Sequence, residues 1–169
     1  IMIINYYGLR SIYLHEMDRF RRTLLQSLIS PVLSTSLYFI VFGSVIGNYV
    51  QKIDGISYGS YIVPGLIMLT LLTQSISNTS FGIFFPKFTG HIYEILAAPI
   101  STFEMVLAFV GAGATKTLII GAVIFYTSTF FVEVSVLHPV LMIFLLILVS
   151  FTFALFGFLI GLLSSNLNR

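Results

Sequence analysis

A chain of 169 residues that is 57% hydrophobic and only 8% charged is no ordinary soluble domain, in which about a quarter of residues carry charge. Its formal charge of +2 is too small to point to nucleic acid, and the lack of cysteine excludes disulfides, thiolate chemistry and cysteine-ligated metals. The apolar runs are far longer than the roughly ten residues of a barrel strand, so the chain reads as an all-α integral membrane protein.

The first element is amphipathic. In residues 9–22, LRSIYLHEMDRFRR, positions Leu9, Ile12, Tyr13, Met17, Phe20 and Leu24 keep helical spacing, with Ser11, His15, Asp18 and Arg22 opposite. Arg10, Arg19, Arg21 and Arg22 suit anionic headgroups, and with His15 they mark an interfacial helix along the cytoplasmic surface. A solvated leader that only sets topology is the plainer alternative. Such an N-terminus is not a basic stub before an apolar core, so no cleavable signal peptide is expected.

Ser30-Pro31 reads as an N-cap with proline at the first helical position, opening a span over about 31–50. Gly47, Asn48, Gln51, Lys52, Asp54 and Gly55 supply an external turn. A second span over about 61–85 is entered through Pro64-Gly65. It carries a polar stripe, Thr70, Thr73, Gln74, Ser77 and Ser80, with Asn78 alongside. Unpaired amides are costly in lipid, so this face must look at protein or at a wet path. Interhelical hydrogen bonding and a surface lining a translocation path both fit it.

The stretch PKFTGHIYEILAAP, residues 86–99, is too polar for lipid yet lies between long apolar runs. As a helix over about 87–98 it would place Lys87, His91 and Glu94 on one face and Phe88, Ile92, Ile95 and Leu96 on the other, bracketed by Pro86 and Pro99. A third span lies within about 105–136. Centring its lipid core on about 117–136 lets Lys116 snorkel at the inner boundary, with Glu133 at the outer one. Centring it on 105–125 would put the ammonium near mid-bilayer, at roughly 2.5–3.5 kcal/mol on insertion scales. A brief turn, Val134 to His138, leads to a fourth span over about 139–163. Every Lys and Arg except Lys52 falls on the N-terminal segment, the central helix with Lys116, or the C-terminal tail. The positive-inside rule therefore makes both ends and the central helix cytoplasmic.

Two motifs mislead. Gly55-Ile56-Ser57-Tyr58-Gly59 matches the G-x-S-x-G nucleophile elbow, but that turn needs a strand before it and a later acid and histidine in reach. A glycine-rich turn explains it better. Gly111-Ala112-Gly113-Ala114-Thr115-Lys116-Thr117 resembles the end of a P-loop, but Val110 and Thr115 stand where glycine is required. Gly113, Thr117 and Gly121, and Gly157 with Gly161, are small residues at four-residue spacing, which suits close helix packing. The three histidines, His15, His91 and His138, are too scattered for a metal site.

An interfacial helix followed by SPVLSTSLYFIVFGSVIG and then VPGLIMLTLLTQSISNTSFGIFFPKFTGHIYEILAAPIS resembles the membrane subunit of ABC-2 type exporters, the permease family of ABC transporters. The likeness runs over essentially the whole chain and is most specific from Pro64 to Ser101. It implies a multi-pass protein of the bacterial inner membrane with its N-terminus cytoplasmic, in contact with lipid and paired with a second copy, expected as a homodimer. It implies six spans, of which the last two have no counterpart in these residues. It also implies a separate ATPase subunit that binds the ATP and Mg, leaving this chain without cofactor, metal or catalytic residues, and no role for nucleic acid. On this resemblance the helix between spans two and three is the coupling helix, with Lys87, His91, Ile92, Glu94 and Ile95 as its ATPase-docking residues, and the N-terminal helix packs nearby. Thr70, Thr73, Gln74, Ser77 and Asn78 then line the path or pack helices. An ion-coupled secondary transporter or channel is the alternative, weakened by the lack of an acid at mid-bilayer and kept open by Lys116 and Glu133. A passive anchor is the third. The cargo is not readable, because one architecture serves many substrates.

Overall fold

A computed structural model describes residues 5–42, 52, 53 and 55–164. Six helices follow in order: α1 (Tyr6–Arg22), α2 (Leu24–Val41), α3 (Tyr58–Thr89), α4 (Ile92–Ala97), α5 (Thr102–Ser128) and α6 (Pro139–Leu163). Between α2 and α3, β1 (Lys52–Ile53) pairs antiparallel with β2 (Ile56–Ser57). Gly55, at φ +84°, makes the turn between them, a conformation that costs glycine little. Ser57 of the G-x-S-x-G pattern is the N-cap of α3, its Oγ accepting from the Ser60 amide. Helices α2, α3, α5 and α6 are each long and apolar enough to cross a bilayer.

Helix α5 is the axis of the bundle. Of its most apolar stretch 61% is buried, against 17–22% for the other three, so those helices keep broad faces for lipid or for other chains. Its largest neighbour is α3, which packs still more extensively on α6. Glycines set both distances. A Cβ on Gly157 would lie 2.5 Å from the Ile76 carbonyl oxygen, and one on Gly161 2.7 Å from that of Ser80, so α6 rests on the α3 backbone itself. On α5, Gly113 receives Thr79 and Gly121 receives the Leu71 side chain. Bare backbone at four-residue spacing allows such approach. The α3 residues that meet these partners, Val63, Ile67, Leu71, Ser75 and Thr79, repeat every fourth position and are buried.

Three boundaries depart from the sequence expectation. The first span does not begin at Pro31: α2 starts at Leu24 and carries Pro31 inside it, buried with Thr35 and Phe39 in one stripe. Proline forfeits one backbone bond, but the stripe's burial outweighs the loss. Positions 43–50 of that expected span lie outside the described residues, as do Gly47, Asn48, Gln51 and Asp54 of the expected turn.

The central 87–98 helix is not continuous. Helix α3 runs through Pro86 to Thr89, and Gly90 at φ +83° ends it. Only Ile92–Ala97 is helical beyond, closed by extended Ala98 ahead of Pro99. At 32 residues α3 is about 48 Å long, more than the ~30 Å of hydrocarbon, so it projects from the membrane. The third span stops at Ser128, eight residues short of 136. Ser128 and Thr129 turn their hydroxyls onto the carbonyls of Phe125 and Tyr126. The stretch Val132-Glu133-Val134-Ser135-Val136 that follows is rich in β-branched residues, poor helix formers.

Candidate functional site

The turn between α3 and α5 is fastened at its end and exposes its middle. Ser101 and Glu104 form a capping box at the start of α5, with the Ser101 amide 2.8 Å from Glu104 Oε2. The other carboxylate oxygen accepts from the Asn5 amide, and Asn5 Nδ2 reaches the Pro99 carbonyl at 3.1 Å. One buried carboxylate thus ties the starts of α1 and α5 together. Between these ties and Gly90, α4 exposes Tyr93 (74%) and Leu96 (61%), with Phe88 and Phe103 exposed on either side.

The five docking residues expected from sequence separate here. His91 and Glu94 are exposed, and His91 Nδ1 lies 2.9 Å from Thr89 Oγ1. Ile92 and Ile95 are half-buried, Ile95 against the cluster of Ile83, Met105 and Phe109. Lys87 points back into the protein, where its Nζ donates to the carbonyls of Gly161 (3.4 Å) and Leu162 (2.6 Å) and caps α6. Sequence reasoning left Tyr93 unnamed and set Leu96 with Phe88, Ile92 and Ile95 on the apolar face rather than among the docking residues, because it carried one helical phase through Gly90. Restarting the phase at that glycine finds them.

A second site lies where α1 meets α5. Glu16 and Lys116 are both almost fully buried, 3% exposed each. Lys116 Nζ donates to Glu16 Oε2 at 2.7 Å, and Arg19 Nη1 lies 3.1 Å from Glu16 Oε1. Tyr13 donates to Thr115 Oγ1 at 3.0 Å on the same face. Lys116 stands near the middle of α5, about 21 Å from its start at 1.5 Å per residue. Its ammonium is held by a carboxylate brought to it from α1. The signal was in the sequence: Ile12, Glu16 and Phe20 repeat every fourth position, so Glu16 sits on the apolar stripe of α1. Arg10, His15, Arg21 and Arg22 do lie exposed on that helix, with Arg21 3.8 Å from Asp18.

The polar stripe of α3 divides. Thr70 and Thr73 satisfy their hydroxyls on the carbonyls of Leu66 and Leu69, and Asn78 Nδ2 reaches Gln74 Oε1 at 3.5 Å. Ser77 and Asn78 instead help line a cavity of about 380 Å³ with Arg19, Ser27, Phe81 and Lys116. The α3 hydroxyls that are truly buried lie on another face: Ser75, donating to the Ser150 carbonyl at 2.7 Å, and Thr79. Among the described residues no three His, Asp or Glu side chains converge as metal ligands would.

Comparison with known proteins places this architecture. Residues 7–169 match the model of the ABC-2 type transporter family. Proteins called inner membrane transport permease YadH, from Escherichia coli K12, Escherichia coli O157:H7 and Shigella flexneri, are each 36% identical to the chain over 166 residues. The match covers 98% of this chain and 65% of each relative, so the chain spans just under two thirds of their length. No solved structure matches significantly. Four membrane-length helices, the short exposed α4 between the second and third of them, and a family match over nearly every residue lead to one conclusion: the chain belongs to the ABC-2 type transporter family.

Proposed function

We propose that the chain is the permease subunit of an ATP-binding cassette exporter of the bacterial inner membrane. Cargo leaves the cytoplasm at the cost of ATP, bound with Mg and hydrolysed on a separate subunit that docks on α4. The observation that carries this reading is α4 itself: a helix presenting Tyr93, Glu94 and Leu96 outward while its ends continue into two membrane helices. An apolar anchor beside one charge is what a groove on a soluble partner recognises. A push there acts on α3 and α5 together, biasing one arrangement of the bundle over another.

A second copy of the permease is the natural cover for the α3 face that carries exposed Thr73 beside half-buried Gln74. Amide groups cannot face hydrocarbon unpaired. Two such faces opposed would enclose a polar path.

The test is co-purification of the full-length protein with the ATPase encoded beside it. Wild type is expected to retain the ATPase and stimulate its turnover, and Glu94→Lys or Leu96→Glu to release it. Failure of the intact wild type to hold any ATPase, with nucleotide or without, overturns the reading. The buried Glu16–Lys116 pair favours one other reading, gradient-driven transport, since intramembrane ionisable pairs serve proton relays. Transport that survives ATP depletion and stops on collapse of the proton gradient would establish it.

A further inference from the structure

We propose that the cavity at the α1–α2 junction is a binding site for an amphiphile with a net-anionic phosphate headgroup, held by Lys116, Arg19 and Asn78, with its apolar part along Phe81 and Phe85. This goes beyond the exporter reading and stands whether or not an ATPase docks on α4.

Charge is the first argument. The cluster holds two cations and one carboxylate. Glu16 accepts one N–H from Lys116 and lies within reach of one Arg19 nitrogen, whereas an ammonium has three donors and a guanidinium five. Glu16 does not itself line the cavity, but Lys116 and Arg19 do. Lys116 is only 3% exposed, and a buried cation with donors to spare is costly until an acceptor arrives. The other polar walls, Thr23, Ser27, Ser77 and Asn78, add hydroxyl and amide groups and no further negative charge.

Shape and depth agree. A volume of about 380 Å³ is ample for a phosphate ester with part of its alcohol, at the lower end of ordinary ligand cavities. Phe81 and Phe85, 56% and 45% exposed, line the cavity and extend beyond it, so an acyl chain could leave along them. Arg21 and Arg22, at the end of the same helix α1, are exposed, as basic residues that meet headgroups must be. Arg19 is held by Glu16 and by the Phe81 ring, 5.8 Å from its guanidinium carbon. That preorganised fork suits a phosphate.

The experiment is native mass spectrometry of the full-length protein in neutral detergent, offered phosphatidylglycerol or phosphatidylcholine. Wild type is expected to retain one phosphatidylglycerol per chain with about tenfold preference, the scale of one or two charge-assisted bonds. Arg19→Gln, and Asn78→Leu, which fills the cavity from α3, should each erase the preference, while Arg10→Gln, an exposed cation outside the cavity, keeps it. Should Arg19→Gln fail to fold, Asn78→Leu carries the test. Equal retention of the two lipids, or a preference that survives Asn78→Leu, overturns the proposal. Inorganic phosphate separates the sources. Displacement at millimolar concentration makes the free anion sufficient; lipid that stays bound, and that Phe81→Ala weakens, makes the amphiphile the ligand.

Discussion

The buried ion pair yields a prediction with a direction as well as a size. Glu16 is the shared partner of Lys116 and Arg19, at 2.7 and 3.1 Å. Glu16→Leu leaves Lys116 charged and buried with nothing opposite it, and breaking a buried pair this way costs about 3–5 kcal/mol. Lys116→Met leaves Glu16 with Arg19, so it loses one charged hydrogen bond, about 1.5–3 kcal/mol. The double variant Glu16→Leu/Lys116→Met removes both buried charges, keeps volume, and frees Arg19, 29% exposed at its side chain, to reach water. It is expected within about 1 kcal/mol of wild type, because replacing a buried pair by apolar residues is often neutral or stabilising.

Thermal unfolding of the full-length protein in one detergent, followed by tryptophan-independent far-UV circular dichroism, measures all three. With 2–4 °C per kcal/mol for a chain of this size, Glu16→Leu should melt about 6–20 °C lower, Lys116→Met by a smaller amount, and the double variant near wild type. A double variant that sums the two single losses would refute the pairing. So would Lys116→Met being the worse single variant, since that ordering requires Glu16 to lack a second partner.

The glycines separate by what surrounds them. Gly157→Ala places a methyl 2.5 Å from the Ile76 carbonyl oxygen and should cost about 1–3 kcal/mol as overpacking, whereas Gly111→Ala, with open space around it, should be neutral or stabilise by up to ~1 kcal/mol. Both are read from the same melting curves. Gly90→Ala forces a side chain into φ +83°, about 1–2 kcal/mol, and because the strain falls between α3 and α4 it should weaken ATPase retention more than it lowers the melting point. Glu104→Ala removes both the capping box and the tie to Asn5. Amide exchange is expected to rise first over residues 5–8 and 99–104; exchange confined to α5 alone would count against the tie.

Composition and periodicity were enough for the membrane-length helices, for the amphipathic stripe of α1 and for the small-residue stripes of α5 and α6, because each of these is set within one helix. What stayed hidden depends on a partner helix or on backbone chirality. Pro31 looked like a helix start, since nothing in Ser30-Pro31 reveals that a helix already running from Leu24 buries Pro31, Thr35 and Phe39 in one stripe. Gly90 looked like one more residue in a helix, but its left-handed conformation rotates everything after it and turns Tyr93 and Leu96 outward. Lys116 and Glu16 were each visible as misfits, a cation in an apolar run and an acid on an apolar stripe. Only folding brings residues 100 positions apart into contact. The polar stripe on α3 was legible as polar but not as two halves, one satisfied by its own helix and one facing the cavity.

The packing divides into two tied units, and the seam between them makes one more prediction. Helix α1 is fastened to α5 at both Glu104 and Lys116, and α6 to α3 at Gly157 and Gly161. Between the units lie Gly121 against Leu71 and Gly113 against Thr79. Thr79 Oγ1, like Ser150 Oγ on α6, is buried with no hydrogen-bond partner among the described residues, which costs each site about 1–3 kcal/mol. Shifting α5 along α3 would break no hydrogen bond of Thr79 and could give its hydroxyl one, at the expense of the packing of Leu71 and Thr79 on the two glycines. Thr79→Val removes the orphan and should raise stability by about 1 kcal/mol, while slowing ATPase-coupled transport in vesicles by locking the seam in one position. Ser75→Ala, by contrast, deletes a bond to the Ser150 carbonyl inside the α3–α6 unit and should cost about 1 kcal/mol with coupling unchanged. If Thr79→Val destabilises the protein, its hydroxyl is paired in the populated state, and the two units slide elsewhere or not at all.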